Sequence, residues 1–296
     1  MSELTSLTLP APAKLNLFLH INFRRPDGYH ELQTLFQLLD HGDQLTFTYQ
    51  KSNKIALTPA IEGVCLEDNL IYKAAVKLRE QALKDNKPTT LCGVHIELEK
   101  KLPMGGGLGG GSSNAATTLL ALNKLWQLDY SPEQLAGIGI SLGADVPVFV
   151  LGHSAYAEGV GEQLRPVNLP ETWYLVVHPG CHVSTANVFS NKQLTRDTPK
   201  SKIAPALEGD LGNIAKYCDL TSNDCESVVC QLYPEIRQAI NWLSQFSPAK
   251  LTGTGACIFA SFSDKQRADN VLSQLPTNYQ GFVAKGINKS PAIKGL

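Results

Sequence analysis

The chain reads as an α+β protein of two domains. Three observations carry that reading: strand-like and helix-like patterns are mixed within each half, the pattern restarts after Gly152, and 296 residues with 43% hydrophobic and 18% charged side chains can bury a substantial core. The division is placed near residue 155, giving an N-terminal domain over 1–155 and a C-terminal domain over 156–296.

Leu15, Leu17, Leu19 and Ile21 alternate with Lys14, Asn16, Phe18 and His20, a period of two that predicts a strand over 15–22 with one aliphatic face. Further strands are expected over 44–49 and over 93–99, where Val94, Ile96 and Leu98 alternate with His95, Glu97 and Glu99. Helices are expected over 70–84 and 114–125, the second with Ala115, Leu119, Leu122 and Trp126 at helical spacing. Another starts at Ser131-Pro132-Glu133-Gln134, where serine caps, proline takes the first helical position and glutamine completes a capping box. In the second half, strands over 155–160 and 173–178 precede a helix over 234–244, a hairpin over 249–262 and a helix over 265–274. The tail 287–296 is expected to fray.

The most specific stretch runs from Leu102 to Asn114 and holds six glycines in the seven positions 105–111. Glycine costs roughly 0.5–1 kcal/mol against alanine in regular structure, so such a block implies positive φ or close approach of another group. Polyphosphate requires both. The following helix turns its unpaired N–H groups and positive dipole end toward the loop, and Ser112 and Ser113 stand where capping hydroxyls would be. A Walker A loop needs a lysine before its serine, and Gly111 occupies that place. A dinucleotide fingerprint matches at Gly105, Gly107 and Gly110, as any glycine-rich run does, but no apolar βαβ unit surrounds it.

Lys14 and Asn16 project together from the polar face of the first strand, which fits either an exposed edge or a site. Arg24, Pro26, Asp27 and Gly28 form a turn that delivers Tyr29 and His30, an aromatic face beside a donor/acceptor ring that suits a planar base. Asp145 lies between Gly143 and Pro147 ahead of an apolar run, as a helix cap or as a functional carboxylate. Thr252-Gly253-Thr254-Gly255 reads as a hairpin turn or a second loop of the same site.

The three segments PAPAKLNLFLHINFRRPDGYHEL, LPMGGGLGGGSSN and AKLTGTGACIFASF, in this order, resemble the three motifs of the GHMP kinases from Pro10 to about Phe262. The first segment resembles the branch of that family acting on a cytidine diphosphate-linked methylerythritol in the non-mevalonate route to isoprenoids. The resemblance implies an N-terminal domain like the second domain of ribosomal protein S5, a ferredoxin-like C-terminal domain, and ATP-dependent phosphorylation of the 2-hydroxyl of that alcohol with Mg²⁺ present. It makes Asp145 and Lys14 catalytic and gives the ATP phosphates to Pro103, Met104, Gly105, Gly106, Gly107, Leu108, Gly109, Gly110, Gly111, Ser112 and Ser113. Asn69 and Lys101 would lie near the nucleotide; read locally they are a helix cap and a solvated charge. Asn16, Tyr29, His30, Thr185 and Phe189 would bind substrate, Tyr29 and Phe189 clamping cytosine, although Phe189 also reads as core. Another alcohol of the family, such as homoserine or mevalonate, and a catalytically silent nucleotide-binding protein are the alternatives.

A net charge of −1 from 26 basic and 27 acidic residues argues against a nucleic-acid or membrane surface. No apolar h-region opens the chain and no run approaches a membrane span, so a cytoplasmic protein, monomer or homodimer, is expected. The seven cysteines include no CxxC pair and read as buried reduced thiols. Pro179 and Gly180 break the spacing of His178, Cys181 and His182, so no protein metal centre is expected.

Overall fold

A computed structural model describes residues 5–87, 93–200 and 221–296. Strands β1 (Ser6–Arg24) and β2 (His30–Gln50) run antiparallel through a tight turn in which Arg25 donates to the Tyr29 carbonyl. β2 pairs on its other side with β4 (Gly93–Glu99), and β3 (Ile55–Thr58) lies parallel to β4. Helices α1 (Leu70–Lys84), α2 (Gly110–Leu125), α3 (Pro132–Gly139) and α4 (Val146–Leu151) close this half over a core that includes Phe36, Phe47, Leu119 and Trp126. The capping box of α3 forms as expected, Ser131 accepting from Gln134 N–H and Gln134 from Ser131 N–H.

The hairpin β5 (Ala155–Glu158) and β6 (Gln163–Pro166) attaches to β2. The second half holds β7 (Trp173–His178), α5 (Thr185–Ser190), α6 (Glu226–Leu232), α7 (Pro234–Leu243), β8 (Ala249–Leu251), β9 (Ile258–Phe262), α8 (Lys265–Leu272), β10 (Gln280–Ile287) and α9 (Pro291–Lys294). β10 pairs with β7 along its length and, through Gly286 and Ile287, with Leu39 and Leu38 of β2. One continuous path, β3-β4-β2-β10-β7-β9-β8, therefore joins the halves. β1 is buried on both faces, but a register shift against β2 between Asn16 and Leu19 breaks the two-residue alternation expected over 15–22: Phe18 packs in one core cluster with Leu15 and Leu17, while Leu19 and Ile21 join another.

Three further local expectations are corrected. Helix α2 begins at Gly110 with Gly109, in the left-handed region, at its cap; Ser112 and Ser113 are already helical and cap nothing. The tail does not fray, because Ser290 caps α9, Ser290 N–H donates to the Gly152 carbonyl, and Ala292 is buried. The cysteines are not uniformly buried: Cys225 and Cys257 are, whereas Cys65 is exposed and Cys181 and Cys230 are half-buried. All five are free; Cys92 and Cys218 lie outside the described residues. No helix among the described residues is long and apolar enough to cross a membrane.

Candidate active site

A cavity of about 630 Å³ opens where β1, β2, the glycine loop, the start of α4, α5 and the 253–255 loop converge. Lys14 lies on its wall and is only 2% exposed. A buried ammonium needs acceptors for its three N–H groups. Lys14 Nζ donates to Asn16 Oδ1 (2.6 Å) and to the Gly107 carbonyl (2.9 Å), and pairs with Asp145 Oδ2 at 3.2 Å. Phe36 offers its ring 5.5 Å away. Positions two apart on a strand share a face, which brings Asn16 to Lys14; Asn16 Nδ2 donates to Thr34 Oγ1 (2.8 Å), turning its oxygen to the ammonium.

Asp145 stands at the cap position of α4, yet its side chain caps no N–H. Its carboxylate meets Lys14 instead, and with its side chain 32% exposed it keeps access to the cavity.

The glycine loop is polarised. The carbonyls of Gly105 and Gly106 accept from Ala256 (3.1 Å) and Cys257 (3.0 Å), that of Leu108 from Lys14 N–H (3.0 Å), and that of Gly109 from Ser113 N–H (2.8 Å). No backbone N–H from Gly105 to Ser112 donates to an acceptor among the described residues. Committed carbonyls and uncommitted N–H groups at the start of a 16-residue helix are the arrangement an anion needs. Glycine is demanded at two points in particular. At Gly107 (φ +73°) a Cβ would lie 2.3 Å from the Thr252 carbonyl, and at Gly109 (φ +72°) 2.8 Å from the Phe149 ring and 3.2 Å from Lys14 Cε. Gly110, by contrast, is helical and has only ordinary contacts around a Cβ.

The 252–255 segment serves in two ways. It joins β8 to β9, and Thr252 Oγ1 accepts from Asn16 N–H (3.0 Å) while Thr185 and Thr254 share a hydroxyl hydrogen bond of 2.8 Å. Tyr29, also lining the cavity, stands 65% exposed on the β1–β2 turn, while the His30 and Phe189 rings meet at 5.0 Å. Burial, then the charges of Arg196 and Arg24, hold the His30 pKa below its ordinary 6.5.

Of the residues singled out by sequence, Lys14, Asn16 and Asp145 thus share the cavity with Gly105, Gly107 and Ser112, and Tyr29, His30, Thr185 and Phe189 line it as well. Asn69 and Lys101 do not line it. Asn69 caps α1 by accepting from Ile71 N–H, and Lys101 pairs with Glu99 at 3.2 Å beside a separate cavity that Pro103 also lines. Met104 is exposed and Leu108 is buried.

A glycine loop with uncommitted N–H groups, in direct hydrogen-bond contact with a lysine–aspartate pair, is an arrangement suited to a small-molecule phosphotransferase, and comparisons with known proteins place the chain in such a family. The model of the GHMP kinase N-terminal domain matches residues 69–153 and that of the GHMP kinase C-terminal domain residues 203–281. The 4-diphosphocytidyl-2-C-methyl-D-erythritol kinase of Hahella chejuensis is 66% identical, over 98% of this chain and 97% of its own length; that of Vibrio cholerae is 53% identical, over 97% and 93%. A crystal structure of 4-(cytidine 5'-diphospho)-2C-methyl-D-erythritol kinase superposes with a TM-score of 0.79 at 32% identity, covering 95% of this chain and all of the other. A homoserine kinase from Cytophaga hutchinsonii shares the fold, with a TM-score of 0.71 at 16% identity over 99% and 98%. The chain belongs to the 4-diphosphocytidyl-2-C-methyl-D-erythritol kinase family of the GHMP kinases.

Two residues at or behind the site escaped the sequence reading. Asp43, 1% exposed, accepts from Lys101 N–H (2.7 Å), Leu102 N–H (2.8 Å) and Asn114 Nδ2 (2.9 Å), tying the entry of the glycine loop to α2. Its His-Gly-Asp context signals only a turn. Arg196 reaches His30 from a loop with no periodicity, and nothing local marks it.

Proposed function

We propose that this protein is an ATP-dependent kinase that phosphorylates the 2-hydroxyl of 4-diphosphocytidyl-2-C-methyl-D-erythritol. One observation carries the mechanism: Asp145 occupies a helix-cap position without capping, and spends its carboxylate on Lys14 beside the uncommitted N–H groups of the glycine loop. ATP phosphates would be held by the backbone from Gly105 to Ser113, with Pro103, Met104 and Leu108 shaping the loop. Asn69, whose neighbour Leu70 abuts Gly111, and Lys101 would flank the nucleotide. The acceptor is a neutral alcohol, so its proton must leave as phosphoryl transfer proceeds; Asp145 takes or orients that proton, and Lys14 offsets charge on the transferring group.

Mg²⁺ binds best to phosphates with one or two protein oxygens. Asp145 and Ser112 both line the cavity and fit that requirement. The ion would screen phosphate charge.

Tyr29, His30 and Phe189 would recognise cytosine, with Asn16 and Thr185 nearer the alcohol. The division into 1–155 and 156–296, a cytoplasmic setting, and a monomeric or homodimeric state belong to the same reading. The test is phosphoryl transfer from ATP to the cytidine diphosphate alcohol against homoserine, mevalonate and galactose, with the phosphorylated carbon assigned by ³¹P–¹H correlation. Preferred transfer to another alcohol overturns the substrate, and none at all the kinase.

A further inference from the structure

His30 is held by a residue outside the three motifs. Arg196 donates from Nε to His30 Nε2 at 3.1 Å and sends its terminal N–H groups to the carbonyls of Leu194 (3.1 Å), Phe189 (2.7 Å) and Asn191 (2.9 Å). A guanidinium N–H can only donate, so Nε2 of the imidazole is an acceptor. A neutral imidazole with one acceptor nitrogen carries its proton on the other, here Nδ1. Nδ1 has no hydrogen-bond partner among the described residues, and the ring lines the cavity. The lowered pKa of His30 keeps this neutral form dominant near neutral pH.

We propose that Arg196 is a positioning residue for base selectivity: it fixes His30 as the Nδ1–H tautomer, so that the ring offers the cavity a donor, and with the same guanidinium it anchors the backbone of Phe189. The proposal rests on the cytidine reading above and adds its chemical sense. Cytosine presents an acceptor at N3 where uracil presents a donor. An Nδ1–H pairs with the first and opposes the second, and the other tautomer would reverse that preference. Arg suits the task because its planar fork can hold several acceptors at fixed angles while its charge resists loss. No carboxylate among the described residues forms an ion pair with Arg196, so its donors stay with the carbonyls and the ring.

The experiment combines a spectrum with a selectivity ratio. ¹⁵N-histidine-labelled protein, with His30 assigned by its loss in His30→Asn, is to show a protonated Nδ1 and a bare Nε2 in the wild type. In Arg196→Met the proton should move at least partly to Nε2. The ratio of kcat/KM for the cytidine substrate over its uridine analogue should fall about tenfold or more, the scale of one buried hydrogen bond, with KM for ATP unchanged. Arg196→Gln, whose amide can still donate to Nε2, should recover part of both the tautomer and the ratio, and serves if the methionine variant does not fold. An Nε2–H tautomer in the wild type, or a variant that shifts neither readout while His30→Asn abolishes selectivity, overturns the role of Arg196 and leaves the base reading intact. If the wild type does not distinguish the two bases, the cytidine reading falls first and this proposal with it.

Discussion

Lys14 Nζ lies 3.2 Å from Asp145 Oδ2, joining the first strand to the start of α4 across the mouth of the glycine loop. The ammonium is nearly closed off from water while the carboxylate remains partly open. Such a pair is oriented before any ligand arrives, which is the condition for an electrostatic contribution without reorganisation during reaction.

Asp145→Asn should lower kcat by on the order of 10²–10⁴ while leaving KM for both substrates within a few-fold, the behaviour of a group that acts in the transition state. Lys14→Met should lose a comparable amount. The double variant should lose less than the sum, since the two residues act on one event. Steady-state kinetics of the three variants decide the matter, and near-normal turnover of Asp145→Asn would remove it from the mechanism.

In the glycine loop the two glycines at 109 and 110 should respond differently. Gly109→Ala forces a Cβ against Phe149 and Lys14 Cε from a left-handed backbone, so it should weaken ATP binding and depress kcat together. Gly110→Ala, in a helical position with ordinary contacts, should change neither by more than a few-fold. Isothermal titration with a non-hydrolysable ATP analogue, run beside the kinetics, reads both.

Tyr29→Ala and Phe189→Ala should each cost roughly 1–3 kcal/mol of substrate binding, the usual worth of a ring stacked on a base, and leave ATP affinity alone. They should part on selectivity. Phe189 touches His30, so its loss should also erode the preference for cytidine over uridine, whereas Tyr29→Ala should weaken the two substrates alike. Equal selectivity in the two variants would break the link between Phe189 and the histidine.

Stability should fall as pH drops below about 6.5, the histidine range. His20, His41 and His178 are each pushed below 6.5 in the folded protein, chiefly by burial. Between the unfolded and folded values the unfolded chain binds more protons, so the stabilisation is complete above 6.5 and is lost as pH falls through the folded values. Tm measured from about pH 8 to 5.5 checks this, and His20→Gln should flatten the slope; a Tm independent of pH across that range contradicts it.

Much of the frame was written locally. The α3 capping box, the α1 and α2 periodicities and the alternation in β4 are set by residues within a few positions of one another, and the structure reproduces them, whereas the alternation in β1 is interrupted between Asn16 and Leu19 by a shift in its pairing with β2. The glycine run likewise predicted positive φ from its own composition, and Gly105, Gly107 and Gly109 have it. What required the tertiary structure was the partner of each polar group. β10 carries little alternation and exists because β7 and β2 supply hydrogen bonds on its two sides, the second at Gly286 and Ile287 and through Asp40, whose Oδ1 accepts from Lys285 N–H. Asn69 and Asp145 both stand before helices, and their local sequences allow either to cap; only the approach of Lys14 from a distant strand draws the Asp145 carboxylate away while Asn69 stays with Ile71 N–H. Arg196 and His30 meet through a loop whose sequence holds no period. Backbone pattern follows from neighbours in the chain, but a buried donor or acceptor is satisfied by whatever the fold brings within about 3 Å of it, and that is decided by packing.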